Sequence, residues 1–185
     1  ATALFVQAVG VATAAAGAVC FPLNTYFFAV VSQAAAQSGE PLQCARRSIR
    51  QYLTLTALVL VAFTAGLAFL AKPLTSLLLG SAYLPVAQFL PWTALALAFF
   101  SMAQALTVVP FARRDPWAPN LSLWFAKGLY LAALVLTPLL TGAVHQFCVI
   151  FACSNLVYLA FMASSALRAW RNNGESSGIP GEART

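Results

Sequence analysis

The side chains able to do acid–base, nucleophilic or metal chemistry are few in this chain, and their spacing does not assemble a reaction centre. Its acids are Glu40, Asp115, Glu175 and Glu182, and its one histidine is His145. All five fall in loops, turns or the polar tail rather than within the apolar blocks. No paired carboxylates, nucleophile with a base or phosphate-cradling glycine loop can be built from them. Cys20, Cys44, Cys148 and Cys153 lack the CxxC spacing of a zinc or redox site, and three of them sit in apolar surroundings. They read as small buried hydrophobes. The expectation is a protein that is not an enzyme and holds no metal or cofactor.

One ionisable residue stands apart. Lys127 lies about eight residues inside an apolar helix, where an intramembrane charge costs at least ~2.5 kcal/mol on insertion scales. Two readings compete. In one, the ammonium faces a water-filled cavity and attracts an anionic group. In the other, the butyl stem lies along the helix and the charge reaches back to the interface. Around it the polar side chains are amides and hydroxyls. Gly10, Gly17 and Asn24 recur every seven residues, with Gln7 and Ala14 on the same side, giving one small, polar stripe that suits close helix packing or a cavity wall. Gln88, Trp92 and Phe99 share a second face, and Asn155, Tyr158 and Met162 a third. Bundle packing and interfacial anchoring are the commoner roles for such sets.

The elements that must position these groups follow from composition. Only 8% of the 185 residues are charged and 61% are hydrophobic, against roughly a quarter charged in a soluble domain. A soluble fold of this length has too little interior to hide that much apolar surface, so lipid is the expected solvent. The net charge of +6 is scattered among apolar blocks and makes no basic face, so no nucleic acid partner is expected. Crossing the hydrocarbon takes about 20 helical residues, and the longer blocks are cut where turn residues occur. One cut is Gly80-Ser81, with Pro85 just inside the next helix; the other is Pro138 followed by Thr141-Gly142. The expected fold is an all-α, polytopic transmembrane bundle over residues 1–171, with about five spans near 3–32, 50–71, 84–111, 119–140 and 144–169. Residues 73–79 are too short to span and are expected at the interface behind Lys72. The first helix would reach ~45 Å, so a kink at Pro22 is expected. Residues 172–185, rich in Gly, Ser and Glu, are expected to form a disordered cytoplasmic tail.

Positive charge tests the span count independently, because loops from alternate sides should differ in Lys and Arg. Arg46, Arg47, Arg50, Arg113, Arg114, Arg168, Arg171 and Arg184 fall on one side; Lys72 alone falls on the other. This bias places the N-terminus outside and the C-terminus in the cytoplasm. A chain that begins outside with no basic signal region, and crosses an odd number of times, reads as the later part of a larger protein.

Three stretches carry a family resemblance. They are the run from Cys20 to Leu53, the run from Gly66 to Leu74, and the run from Leu77 to Met102, LLLGSAYLPVAQFLPWTALALAFFSM. Together they resemble polysaccharide biosynthesis flippases, of the superfamily that also contains multidrug and toxin extrusion transporters and lipid II flippases. The most specific part is Gly80 and Tyr83 followed by Pro91-Trp92 at the next helix start, and the resemblance covers roughly residues 5–165. It implies two pseudo-symmetric bundles around a central cavity, of which this chain would match the last five helices of the second. The partner would then be the missing N-terminal bundle or another copy of the chain.

The implied activity is transfer of an undecaprenyl-pyrophosphate-linked oligosaccharide to the outer leaflet of a bacterial inner membrane by alternating access. On that reading Lys127 is the anion contact, and Asn24, Gln7 and Gln104 are polar wall residues. A cation-coupled multidrug exporter of the same superfamily is the alternative, but it calls for an intramembrane carboxylate that none of the five helices supplies. A structural membrane protein without a substrate path is the third.

Overall fold

The computed structural model describes residues 2–37, 41–112, 117–140 and 144–176. Among them helix is the only regular secondary structure. Five long helices form: α1 (Thr2–Gln37), α2 (Pro41–Leu78), α3 (Leu90–Leu106), α5 (Trp117–Leu140) and α6 (Val144–Ser176), with a short α4 (Val108–Ala112) after α3. A 3-10 segment, Ser81–Gln88, joins α2 to α3.

Within the described residues, three helices are long and apolar enough to cross a bilayer: Arg46–Leu78, Leu90–Pro110 and Gln146–Arg171. Val6–Ala18 is a shorter apolar stretch. Burial separates their roles. Half of the apolar stretch of α3 is buried, but only 17% of that of α2. Leu58, Val61, Phe69 and Leu77 on α2, and Leu121, Trp124, Leu131 and Val135 on α5, are exposed. So much outward-facing apolar surface is what a helix bundle presents to lipid rather than to water.

The buried clusters fix helix direction. Ala8 of α1 packs with Ala71 of α2, Leu90 of α3 and Cys148 of α6. Further along, Ala12 and Ala16 meet Leu67, Ala94 and Leu97, with Phe151 at their edge. At the far end Val31 joins Ile49, Tyr52, Leu106, Val109, Met162 and Ala166. Residue numbers rise together in α1, α3 and α6 and fall in α2, so the first three run parallel and α2 returns against them. Tyr130 meets Phe151, and Phe125 meets Phe161, so α5 also runs antiparallel to α6. Exposed Arg46, Arg47 and Arg50 flank Ile49, and Arg168 and Arg171 flank Ala169, which places all five at one end of the bundle. Lys72, next to Ala71, is at the other. Arg113, Arg114 and Arg184 lie outside the described residues.

Several boundaries differ from expectation. α2 begins at Pro41, because Gln43 through Gln51 favour helix although they are too polar for the membrane core. The interfacial segment expected over 73–79 is not separate, because α2 continues through Pro73 to Leu78. Proline lacks an N–H for the Phe69 carbonyl, but the next turns are held by Thr75 Oγ1 donating to the Ala71 carbonyl at 2.7 Å and Ser76 Oγ donating to that of Pro73 at 2.9 Å. The break at Gly80 falls where expected, at φ 89° and ψ 167°, a conformation that excludes side chains with a Cβ. The helix expected over 84–111 is three pieces. Pro85 sits inside the 3-10 turns and Pro91 enters the first turn of α3. At the other end Pro110 has no N–H for the Leu106 carbonyl, and the Thr107 N–H donates to Gln104 in a tight 3-10 bond of 3.1 Å. α1 continues through Pro22 to Gln37. α6 extends to Ser176, taking in the first residues of the expected tail; residues 177–185 lie outside the described residues.

The packing stripe of α1 is also not the expected one. Gly10, Ala14 and Gly17 are exposed, and a Cβ at either glycine would meet nothing within 4 Å. Ala8, Ala12 and Ala16 make the close approach instead, along the four-residue row that settles into a neighbouring helix's grooves.

Candidate functional site

α5 docks mainly on α6 and buries Ala126 in the core, and the adjoining Lys127 reaches toward α3 and α6. The half-buried ammonium sits 5.0 Å from the ring centroid of Phe100 on α3 and 6.0 Å from that of Phe151 on α6. Both rings present the negative face of their quadrupole to the cation. Phe151 precedes Arg168 by 17 residues, about 26 Å of helical rise. The ammonium therefore lies within the three-helix seam, well away from the arginine end.

Tyr158 lies beside this seam, 1% exposed, its ring 6.0 Å from that of Phe100. Gln104, one turn beyond Phe100, donates from Nε2 to the Tyr158 hydroxyl at 3.4 Å, a long bond. The same glutamine lines a cavity of about 540 Å³ between α1, α2 and the end of α3, with Thr25, Phe28, Tyr52 and Thr107. Phe27 stacks on Tyr52 with centroids 4.8 Å apart, fixing the α1–α2 wall. Tyr52 is two residues past Arg50, so this cavity belongs to the arginine end. Gln104 thus stands between the cavity and the aromatic seam that holds Lys127.

The predicted residues are only partly brought together. Lys127 and Gln104 share the α3–α6 seam through Phe100 and Tyr158. Gln7 does not join them: its neighbour Ala8 packs at the level of Leu90, about 21 Å of helical rise from Gln104. Its Oε1 is buried there without a hydrogen-bond partner. The side chain of Asn24 lies outside the described residues. Asn155, Tyr158 and Met162 are all buried, and Asn155 donates to the Phe151 carbonyl at 3.0 Å, which makes that face a packing face. Gln88 and Trp92 are exposed. Cys148 is buried as expected, but Cys153 is exposed, since α6 turns that position away from α3; the side chains of Cys20 and Cys44 lie outside the described residues.

Three contributors were not singled out in the sequence: Phe100, Thr107 and Tyr52. Thr107 had a readable signal, since it follows Gln104 by three residues and so shares its face. Its hydroxyl donates to the Gln104 carbonyl at 2.6 Å. Phe100 and Tyr52 had none, because nothing in the sequence says which of 14 phenylalanines and five tyrosines meets a lysine or a cavity.

The chain matches no known protein family, no curated protein and no solved structure. A cation held between aromatic faces in low dielectric attracts an anion more strongly than it would in water. The Gln104 amide and the Thr107 hydroxyl give the neighbouring cavity a polar side. Among the described residues, no group of three His, Cys, Asp or Glu side chains could hold a metal ion.

Proposed function

We propose that this chain forms one helical bundle of a membrane transporter for a lipid-linked anionic oligosaccharide, of the undecaprenyl-pyrophosphate type, in a bacterial inner membrane. About five helices span the bilayer, with the arginine end in the cytoplasm and the N-terminus outside. The pyrophosphate is drawn to Lys127, and the sugars meet the polar wall that includes Gln104. A second bundle, from a larger chain or another copy, completes the path. The observation that carries this reading is the position of Lys127. Its ammonium points into the bundle between Phe100 and Phe151 instead of returning to the arginine end. Intramembrane cations are costly, and those that face a bundle interior mark ligand and ion paths.

The test is binding of undecaprenyl pyrophosphate to the full chain in phosphatidylcholine nanodiscs. Lys127→Gln is expected to weaken saturable binding tenfold or more, as losing a buried charge partner does, and Lys127→Arg to retain most of it. Equal binding by wild type and Lys127→Gln refutes the assignment. Flipping by the reconstituted chain alone would overturn the need for a second bundle.

The competing reading, a membrane protein with no substrate path, draws on the same rings. Two aromatic faces also let a bundle accommodate a cation that binds nothing, and it predicts that Lys127→Leu changes no ligand affinity. Cation-coupled multidrug export is less well supported, because no Asp or Glu falls within the three apolar spans.

A further inference from the structure

At the end of the bundle opposite the arginines, a second cavity of about 570 Å³ opens between the last turns of α2 and the 3-10 segment. Phe69, Lys72 and Pro73 line one side, and Leu84, Gln88 and Pro91 the other. Among the described residues at this end, Lys72 is the only charged side chain, and it is exposed. Its height is set by α2. Arg50 and Lys72 are 22 residues apart with no charge between them, about 33 Å of helical rise, against a hydrocarbon core of about 30 Å. With Arg50 at one headgroup layer, Lys72 stands at the other, level with lipid phosphates.

Below Lys72 the outer face of α2 continues the same site. Leu58, Val61, Ala65 and Phe69 precede it at intervals of three and four residues, so they form one stripe. All four are exposed, Phe69 at 87%. The stripe ends at the cation, which is the layout an intact phospholipid needs: acyl chains along the apolar residues, and the phosphate at the ammonium. Gln88, exposed across the cavity, adds an amide that can donate to phosphate or glycerol oxygens. Snorkelling alone would need only the lysine and its stem. It does not account for a cavity with an amide opposite the charge.

We propose that this groove binds one anionic phospholipid of the leaflet facing away from the arginine end. The Lys72 ammonium meets its phosphate, Gln88 its headgroup, and the half of the stripe from Val61 to Phe69 its chains, since Val61 stands about midway between Arg50 and Lys72. The site does not depend on the transport reading; it rests only on α2 crossing the bilayer. Occupied in this way, the lipid would brace α2 against the 3-10 segment, whose Val86 and Ala87 already pack with Ala71.

The experiment uses the full chain in phosphatidylcholine nanodiscs doped with a diazirine-tailed phosphatidylglycerol, irradiated and mapped by peptide mass spectrometry. Cross-links are expected to concentrate on residues 61–72. The Lys72→Gln variant should lower them about fivefold, the effect of one basic side chain near an anionic headgroup, while Lys72→Arg keeps them and Gln88→Ala lowers them less. Helicity by circular dichroism establishes that each variant is folded. Excess glycerol phosphate should not compete, because the chains hold the lipid in place.

Equal labelling by a diazirine-tailed phosphatidylcholine would show ordinary boundary lipid and overturn the site. Competition by glycerol phosphate would overturn the lipid as its ligand. Absence of any labelling at 61–69 by either probe would overturn the spanning reading of α2 as well, which separates the two failures.

Discussion

Replacing Lys127 by methionine should make this protein more stable while removing the anion contact proposed for it. A lysine near the centre of a membrane helix carries a penalty of ~2.5–3.5 kcal/mol on insertion scales. Against this stands the attraction of the aromatic faces. Phe100, at 5.0 Å, is well inside the useful range, whereas Phe151, at 6.0 Å, is at its limit. One effective cation–π contact in a desolvated setting contributes about 1–2 kcal/mol. The difference leaves a net cost of about 0.5–2.5 kcal/mol for keeping the charge. Methionine matches the length of the stem and packs against aromatic rings through its thioether, so Lys127→Met should raise the unfolding free energy by about that amount.

The assay is reversible denaturation in mixed micelles followed by far-ultraviolet circular dichroism, with the same curve for Phe100→Leu and for the double variant. Phe100→Leu alone should destabilise, and the coupling between the two sites should be about 1 kcal/mol. If Lys127→Met lowers stability by more than about 1 kcal/mol, the lysine is a structural strut and the cost reasoning fails. A coupling near zero would separately refute the aromatic contact.

Two further outcomes test the fold. Gly80→Ala should cost roughly 1–3 kcal/mol although its Cβ would meet nothing within 4 Å, because the φ of 89° is the whole penalty; Gly66→Ala, in the α2 interior and equally uncrowded, should be neutral or slightly stabilising in the same denaturation assay. Met162→Ala, fully buried at the arginine end, should cost about 2–5 kcal/mol, read as a shift in denaturation midpoint; a shift below 0.5 kcal/mol would mean that α6 does not pack there as described.

Hydropathy made the helices visible, but not their ends or faces, for a physical reason. A bilayer rewards apolar length and is indifferent to where a helix stops, so Arg46 to Arg50 could be read as a loop although they are turns of α2. Gly80 was legible because backbone conformation, not burial, decides it. Faces are harder. In water a helix shows its buried side by contrast with a polar one, but in α1 both sides are apolar and both carry small residues. The Gly10–Gly17 repeat and the Ala8–Ala12–Ala16 row were therefore equally plausible packing stripes, and the structure uses the second.

The same ambiguity explains the partial site. Lys127 drew notice because charge is conspicuous in an apolar helix, yet whether it pointed to lipid or inward depended on two phenylalanines far away in sequence. Gln7 and Gln104 looked equivalent as polar wall residues. Only the parallel run of α1 and α3 separates them by most of the bilayer's depth, leaving Gln104 with the aromatic seam and Gln7 at the level of Leu90. A single ligand headgroup cannot touch both at once. If both contribute to transport, they act on the substrate at successive depths, and substitutions at Gln7 should alter transport without changing the affinity measured at Lys127.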